Sequence, residues 1–393
     1  MAVDGDMGGN VYGDANGAGD DIMDEEQDGN VDVDEDGAGT MVANGDTDNE
    51  GGVMKTAIVT GAAGFIGSHM VSHLRLLGYF VRAVDIKEGP LFGWPHNEAP
   101  NEYRRLDLRD RSAAEAVFAN LYADEIYHFA ADMGGIGYIT HDLATITRNN
   151  ALINLNMFEA ARVHDFRGKF FFSSSACVYP AQLQAESDSP NRDLREYDAW
   201  PADPEAGYGL EKLFAEELLR YYAEQYDMDV RIARYHNIYG PQGTYEGGRE
   251  KAPAALVRKA LKALEALDDY GVVEVWGDGA QTRSFLYIDD CVALTHRFVQ
   301  VESPTTVINI GSDEVVTIAK LAEMAWKAVL EVAKPRTPPE LSLSFVEGPQ
   351  GVRGRNCDQT LMLKTLRPLK PVVDLATGLR WLAKWMWEVH GCL

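Results

Sequence analysis

Tyr208-Gly209-Leu210-Glu211-Lys212 sets a phenol and an ammonium four residues apart, a spacing that puts two side chains on one face of a helix. An unperturbed phenol has a pKa of about 10, and a nearby ammonium favours the phenolate. Such a pair makes a base that acts near neutrality. Ser175 ends the run Lys169-Phe170-Phe171-Phe172-Ser173-Ser174-Ser175, and its hydroxyl can donate to the same substrate oxygen. Alone, a Tyr-x-x-x-Lys recurs by chance, and most such pairs are solvated helix faces. Its weight depends on what the rest of the chain places before it.

The stretch Lys55–Gly67 reads as a short buried strand, a glycine turn and the first turn of a helix. Gly61 allows the turn, Gly64 lets the backbone approach a pyrophosphate, and Gly67 lets the helix lie close on the sheet. Free N–H groups at the helix start, around Phe65 and Ile66, face an anion that the helix dipole also favours. The spacing is Gly-x-x-Gly-x-x-Gly, and three glycines alone are a weak signal. Two neighbours strengthen it: the apolar run Ala57-Ile58-Val59 just before, and a second strand, Phe80–Val84, ending on Asp85, where a ribose diol calls for a carboxylate. Arg82 and Lys87 lie near that carboxylate. Together these features predict dinucleotide binding, with a purely structural turn as the alternative.

The elements that must position these groups alternate. Helical periodicity runs from Ser68 to Leu77, Ser112 to Leu121, Ala144 to Val163 and Tyr208 to Tyr226, and strands are expected at 104–107, 125–130, 169–172 and 230–233. Small residues Ala130 and Ala131 would let a cofactor lie against a strand end. The alternation predicts an α/β fold, a doubly wound parallel sheet with its site at the strand C-termini, over 54–240. Residues 241–393 read mainly as a smaller α/β substrate lobe, some segments returning to the first domain. Helices are expected at 252–267, 317–332 and 375–389, and strands at 272–276 and 283–287. No second glycine fingerprint and no repeat occurs.

Composition separates residues 1–53 from the rest. Through position 54 the chain holds sixteen Asp and Glu and no Lys or Arg, so of the formal net charge of −25 only −9 belongs to the remainder. Such a segment cannot bury enough apolar surface to fold, and disorder is expected. Asp32-x-Asp34-x-Asp36-Gly37 opens like a calcium loop but has Ala43 where Glu is needed. Met54 offers a second start. The acidic balance argues against nucleic acid, no apolar run is long enough for a membrane span, and no His or Cys spacing suggests a metal. The cysteines, Cys177, Cys291, Cys357 and Cys392, form no C-x-x-C pair, and a reducing cytoplasm is expected.

Over residues 55–390 the chain resembles the extended short-chain dehydrogenase/reductases that act on nucleotide sugars. The matching stretches are Gly61–Gly67, Ser173–Ser175, Tyr208-x-x-x-Lys212, Arg234–Pro241, Trp276-Gly277-Asp278-Gly279 and Asn309-Ile310-Gly311. The resemblance implies NAD at Gly61, Gly64, Phe65, Ile66 and Gly67, with Asp85 on the adenosine ribose and Asp107 near the adenine. Ala130, Ala131, Tyr208 and Lys212 would also bind the cofactor. A hydride leaves sugar C4 while Tyr208 takes the hydroxyl proton. It also implies a homodimer through helices 144–163 and 208–226.

Further stretches, Ala131–Gly135, Ser174–Pro180, Asp198–Pro201, Gly247–Pro253 and Gly351–Asn356, are similar to members that invert GDP-mannose at C3 and C5. In those members a Cys at the Cys177 position and the Lys at the Lys251 position form the acid/base pair. Substrate contacts follow at Gly135, Ser174, Ser175, Asn237, Glu250, Ala252 and Gln281, with Lys259, Arg283 and Arg353 as diphosphate cations. The chemistry is coherent without the resemblance: oxidising C4 acidifies the hydrogens at C3 and C5, and inversion needs a base on one face and an acid on the other. The bland readings are a small buried thiol for Cys177 and a surface lysine at a helix start for Lys251, a poor place for a cation. Rival readings are a 4-epimerase or 4,6-dehydratase on the same scaffold, and a non-catalytic NAD-binding scaffold. Dehydratases carry Asp-Glu where Ala176 and Cys177 stand. The acidic tail and a longer loop at 268–271 depart from the family.

Overall fold

The computed structural model describes residues 54–134, 142–185, 193–204, 206–266, 270–302, 307–348 and 351–390. The acidic segment 1–53, Gly135 and residues 268 and 269 of the loop at 268–271 lie outside the described residues, whereas Tyr270 and Gly271 open the strand Tyr270–Trp276.

Seven strands make the central sheet: β1 (Thr56–Thr60), β2 (Phe80–Asp85), β3 (Glu102–Arg105), β4 (Glu125–His128), β5 (Lys169–Ser175), β6 (Asp229–Tyr235) and β7 (Val307–Ile310). Their order is β7-β6-β5-β4-β1-β2-β3, and every pairing is parallel. Successive side chains of a strand point to opposite faces, so a sheet covered on both sides must be apolar throughout. Ala57, Val59, Val81, Ala83 and Phe171 enter one core with Met70, Val71 and Leu74 of helix Phe65–Leu76. Ile58, Val84, Ile126, Phe170 and Phe172 enter the other, with Met157 and Phe158 of helix Leu143–Val163 and Leu219 of helix Gly207–Tyr226. The sheet is thus doubly wound, as the alternation predicts.

Two expectations shift at the sheet's edge. The third strand stops at Arg105 rather than Asp107, because the Asp107 carboxylate folds back to accept the Arg109 N–H at 3.1 Å, a turn-forming contact. The following helix ends at Ala116 rather than Leu121. Its last carbonyls are taken by guanidinium groups of the sheet: Arg104 donates to Ala116 O at 2.8 Å, and Arg82 donates to Val117 O and Ala119 O at 2.9 Å. This also turns Arg82 away from the Asp85 carboxylate.

The sequence reading assigns no element to helix Ile288–Gln300, which covers the first face of the sheet with Ile288, Leu294 and Phe298. Its N-cap is Tyr287, with no side-chain hydrogen bond, so the usual start signal is missing. A four-stranded sheet joins distant pieces of chain. Thr282–Ser284 pairs with Val315–Thr317 on one side and Gly354–Cys357 on the other, and Gly354–Cys357 pairs with Asp193–Leu194. The expected strand 283–287 is two short ones, the second being Leu286–Tyr287 beside Ile238–Tyr239.

Candidate active site

The chain leaves β1 for one face of the sheet and β4 departs on the other, which opens a crevice at the strand C-termini. Gly61 turns out of β1 with φ +67°, and a Cβ there would meet the backbone of Phe129 and Ala130 at 2.7 Å. At Gly67 a Cβ would lie 2.1 Å from Gly61 O, so only glycine lets the helix sit on the turn. At Gly64 the nearest atom to such a Cβ is Gly61 O, at 3.0 Å. Gly64 is the N-cap of helix Phe65–Leu76 and supplies no side chain to it. The Asp85 carboxylate braces the turn, accepting from Ala63 N–H at 2.9 Å and Lys87 N–H at 3.0 Å.

From this turn a cavity of about 320 Å³ runs across the strand ends, the size of a small-molecule site. Gly64, Phe65, Ile66, Ala131, Ser174, Ser175, Cys177, Tyr208, Lys212, Asn237 and Lys251 line it, joining the glycine turn to the residues expected to act on a sugar. Local structure sets each of them. Ser175 closes β5 and caps the short turn Ala176–Val178, its hydroxyl accepting from Cys177 N–H at 3.1 Å. That turn carries the Cys177 thiol to the cavity wall. Helix Gly207–Tyr226 meets the turn at Gly209, where a Cβ would lie 2.0 Å from Cys177 O. The missing side chain therefore lets Tyr208 and Cys177 share one wall. Lys251 is the N-cap of helix Ala252–Glu265 and reaches the cavity from there.

The electrostatics differ from one expectation. Burial raises the Tyr208 phenol well above its ordinary value; Cys177 and Glu211 push the same way, and Ser175 opposes them. Burial also lowers Lys212. The Lys212 ammonium donates to Ser173 O at 3.0 Å and lies 4.6 Å from the Phe172 ring centroid but 5.9 Å from that of Tyr208. The pair shares a helix face, but burial dominates the phenol and the Lys212 ammonium is held at Ser173 O, so the phenol on its own is no base near neutrality.

Cys177 behaves otherwise. Burial would raise its thiol, yet Arg355, the Ser175 hydroxyl and Lys251 outweigh burial and hold it below the usual value. Burial lowers Lys251, with Cys177 opposing and Arg355 assisting. A thiol and an ammonium each moved down from their ordinary values, on one cavity wall, suit a base and an acid acting at one site.

Other expected contacts sit off this wall. Asp107 is paired with Arg109 at 2.6 Å, and Glu250 with Arg258 at 2.9 Å. Lys259 donates to Glu274 O at 3.0 Å beside the Trp276 ring. Arg353 makes two 2.9 Å bonds to Asp278, Arg283 donates to Thr282 O, and the buried Gln281 donates weakly to Trp276 O. Ala130 and Ala252 flank the cavity without lining it. Two residues that do line the cavity, Ser174 and Asn237, are also engaged beyond it: the Ser174 hydroxyl donates to Glu216, itself paired with Arg234. The Asn237 amide donates to Ser284 O at 3.0 Å. Sequence reasoning missed Arg355, which lines the cavity and donates to Cys177 Sγ at 3.4 Å. Its signal was present two residues beyond Arg353, in Arg353-Gly354-Arg355.

The residues fit NAD. The uncapped helix start opens on the cavity at Gly64, Phe65 and Ile66, as a pyrophosphate requires. The Asp85 carboxylate makes two hydrogen bonds and has capacity for more.

Residues 57–311 match the family model of the NAD dependent epimerase/dehydratase family. A GDP-mannose 3,5-epimerase 1 of Oryza sativa subsp. indica is 41% identical over 336 residues, 84% of this chain and 81% of the relative. A GDP-mannose 3,5-epimerase of Arabidopsis thaliana matches at the same identity and coverage. Among solved structures, a UDP-glucuronic acid 4-epimerase of Bacillus cereus, in complex with UDP-glucuronic acid and NAD, superposes with a TM-score of 0.69 at 25% identity. That match covers 85% of this chain and 99% of that one. With the glycine turn and the Tyr208–Lys212 face in place, the chain belongs to the NAD dependent epimerase/dehydratase family.

Proposed function

We propose that this chain inverts GDP-mannose at C3 and C5, giving GDP-L-galactose and, when C5 alone is inverted, GDP-L-gulose. The observation that carries the reading is the meeting of Cys177 and Lys251, from distant segments of the chain, on the wall that also holds Tyr208 and Ser175. When bound, NAD supplies reversible oxidation at C4 and a positive charge that favours phenolate. Tyr208 takes the C4 hydroxyl proton and returns it at the end, Ser175 donates to the same oxygen, and Lys212 holds Tyr208 and the cofactor in register. Oxidation at C4 acidifies C3–H and C5–H. Cys177 then serves as base and Lys251 as acid, one on each face of the ring.

Asp85 is assigned to the adenosine ribose, Asp107 to the adenine side, and Asn237 to the sugar. Lys259, Gln281, Arg283 and Arg353 are assigned to the nucleoside diphosphate, with Arg353 leaving Asp278 to reach it. The relatives named above support the substrate.

A homodimer is part of the proposal. Leu152 and Leu155 on one helix, and Leu210, Phe214 and Tyr221 on the helix packed beside it, are exposed and suit a symmetric partner face. Light scattering that finds only monomer at micromolar concentration would overturn this. Cys177, Cys291 and Cys357 are free thiols, which suits a reducing compartment such as the cytoplasm. Among the described residues no helix is long and apolar enough to cross a membrane.

The deciding experiment is incubation with GDP-mannose and identification of the recovered sugar. GDP-L-galactose at unchanged mass is expected. A product lighter by one water would mean a 4,6-dehydratase, and inversion confined to C4 a simple 4-epimerase.

A further inference from the structure

Resting on the epimerase reading, we propose that Arg355 is a positioning residue that keeps the Cys177 sulfur available as a base on the cavity wall. Arg355 lies on the strand Gly354–Cys357, paired with Arg283 of the neighbouring strand. Its Nη1 donates to Cys177 Sγ at 3.4 Å, and its Nε donates to Gln184 Oε1 at 2.6 Å. Gln184 is buried, and its own amide donates to Tyr179 O at 2.9 Å and Pro180 O at 3.3 Å. Those two carbonyls follow Cys177 within three residues. The guanidinium is therefore anchored to the same loop that carries the sulfur, so the two move together.

The chemistry explains why a second cation is needed. Lys251 also faces the sulfur, but as the proposed acid it must give up its proton during turnover. If it were the sole counter-charge, the thiolate would lose support in the middle of the reaction. A guanidinium stays charged at any working pH, and its planar fork fixes direction as well as charge. Arg355 thus supplies the constant field, and Lys251 the variable one. The order of influence agrees: Arg355 acts on the Cys177 thiol more strongly than Lys251 does.

The test reads the sulfur directly. The full chain, without sugar nucleotide, is treated with iodoacetamide across a pH series, and alkylation of the Cys177 peptide is followed by mass spectrometry. Peptide-level reading separates Cys177 from Cys291, Cys357 and Cys392. In Arg355→Met the onset of alkylation moves to higher pH and labelling at neutral pH falls severalfold. Lys251→Met moves it less, and Arg355→Lys less than Arg355→Met. An unchanged onset in Arg355→Met, or a larger shift in Lys251→Met, overturns the proposal. A merely structural role would lower the melting temperature and leave the onset where it is. Should Arg355→Met not fold, Arg355→Lys decides: a partial upward shift supports the proposal and no shift overturns it. No epimerisation is measured, so failure of the GDP-mannose reading would leave this test standing.

Discussion

Tyr208 and Cys177 line one cavity, and burial works against the charged form of each, yet they end on opposite sides of their ordinary values. The difference lies in what faces them. Tyr208 has one lysine at helical spacing, and that lysine is drawn to Ser173 O and the Phe172 ring. Cys177 has two cations aimed at it from distant segments of the chain, Arg355 and Lys251, one within hydrogen-bond reach. A charge four residues along a helix is a weaker guarantee of influence than a charge fixed by tertiary contacts. The two halves also suit different tasks. The thiol is poised in the resting chain, whereas the phenol waits for cofactor charge.

Substitutions can break this comparison, and Tyr208→Phe should do most. It removes the group that allows oxidation at C4, on which the C3 and C5 steps depend. Product formation and solvent exchange should both fall about 10²–10⁴-fold; retained exchange, read by mass spectrometry, would mean that ring protons leave without C4 oxidation. Cys177→Ser separates the halves. A hydroxyl is a far weaker acid than a thiol, so epimerisation should fall about 10²–10⁴-fold while reduced-cofactor absorbance still appears with GDP-mannose. Loss of that absorbance would tie Cys177 to the redox step instead.

Arg355→Met should have a smaller, pH-dependent effect. The wild-type thiol is held low, so its thiolate is lost only as pH falls through that depressed value. Without Arg355 the loss begins at higher pH. Activity should drop near neutrality and recover as pH rises, and a pH–rate profile parallel to wild type would count against the account. The smallest effect concerns stability. Tyr208→Phe deletes one hydroxyl and should cost about 1 kcal/mol in urea unfolding. A loss of several kcal/mol would mean that the phenol is structural, and the activity result would lose its meaning.

Much of the site was legible because it sits on local patterns. Gly61, Gly64, Gly67 and Asp85 share one βα unit, and Ser175, Cys177, Tyr208 and Lys212 lie at the ends of elements with clear periodicity. Arg355 was not legible. It reaches Cys177 through a short strand whose partner, Thr282–Ser284, lies 72 residues back in the chain (Arg283 to Arg355), and three- or four-residue strands leave no periodic trace. Helix Ile288–Gln300 was missed for want of a capping side chain, although Asp289 and Asp290 sit in its first turn and its apolar face is as regular as the others. The expected direction for Tyr208 failed for a third reason. Spacing gives proximity on a helix face, but only the fold says that Tyr208 is buried and that Lys212 is held at Ser173 O.

The central claim is that Cys177 moves the ring protons, and heavy water tests it most directly. Wild-type chain and Cys177→Ala are incubated with GDP-mannose in deuterium oxide, and recovered sugar nucleotide is analysed for deuterium at C3 and C5. The account predicts uptake at both carbons by the wild type and a loss of about 10²–10⁴-fold in Cys177→Ala. Wild-type uptake by Cys177→Ala would show that another residue is the base and contradict the account.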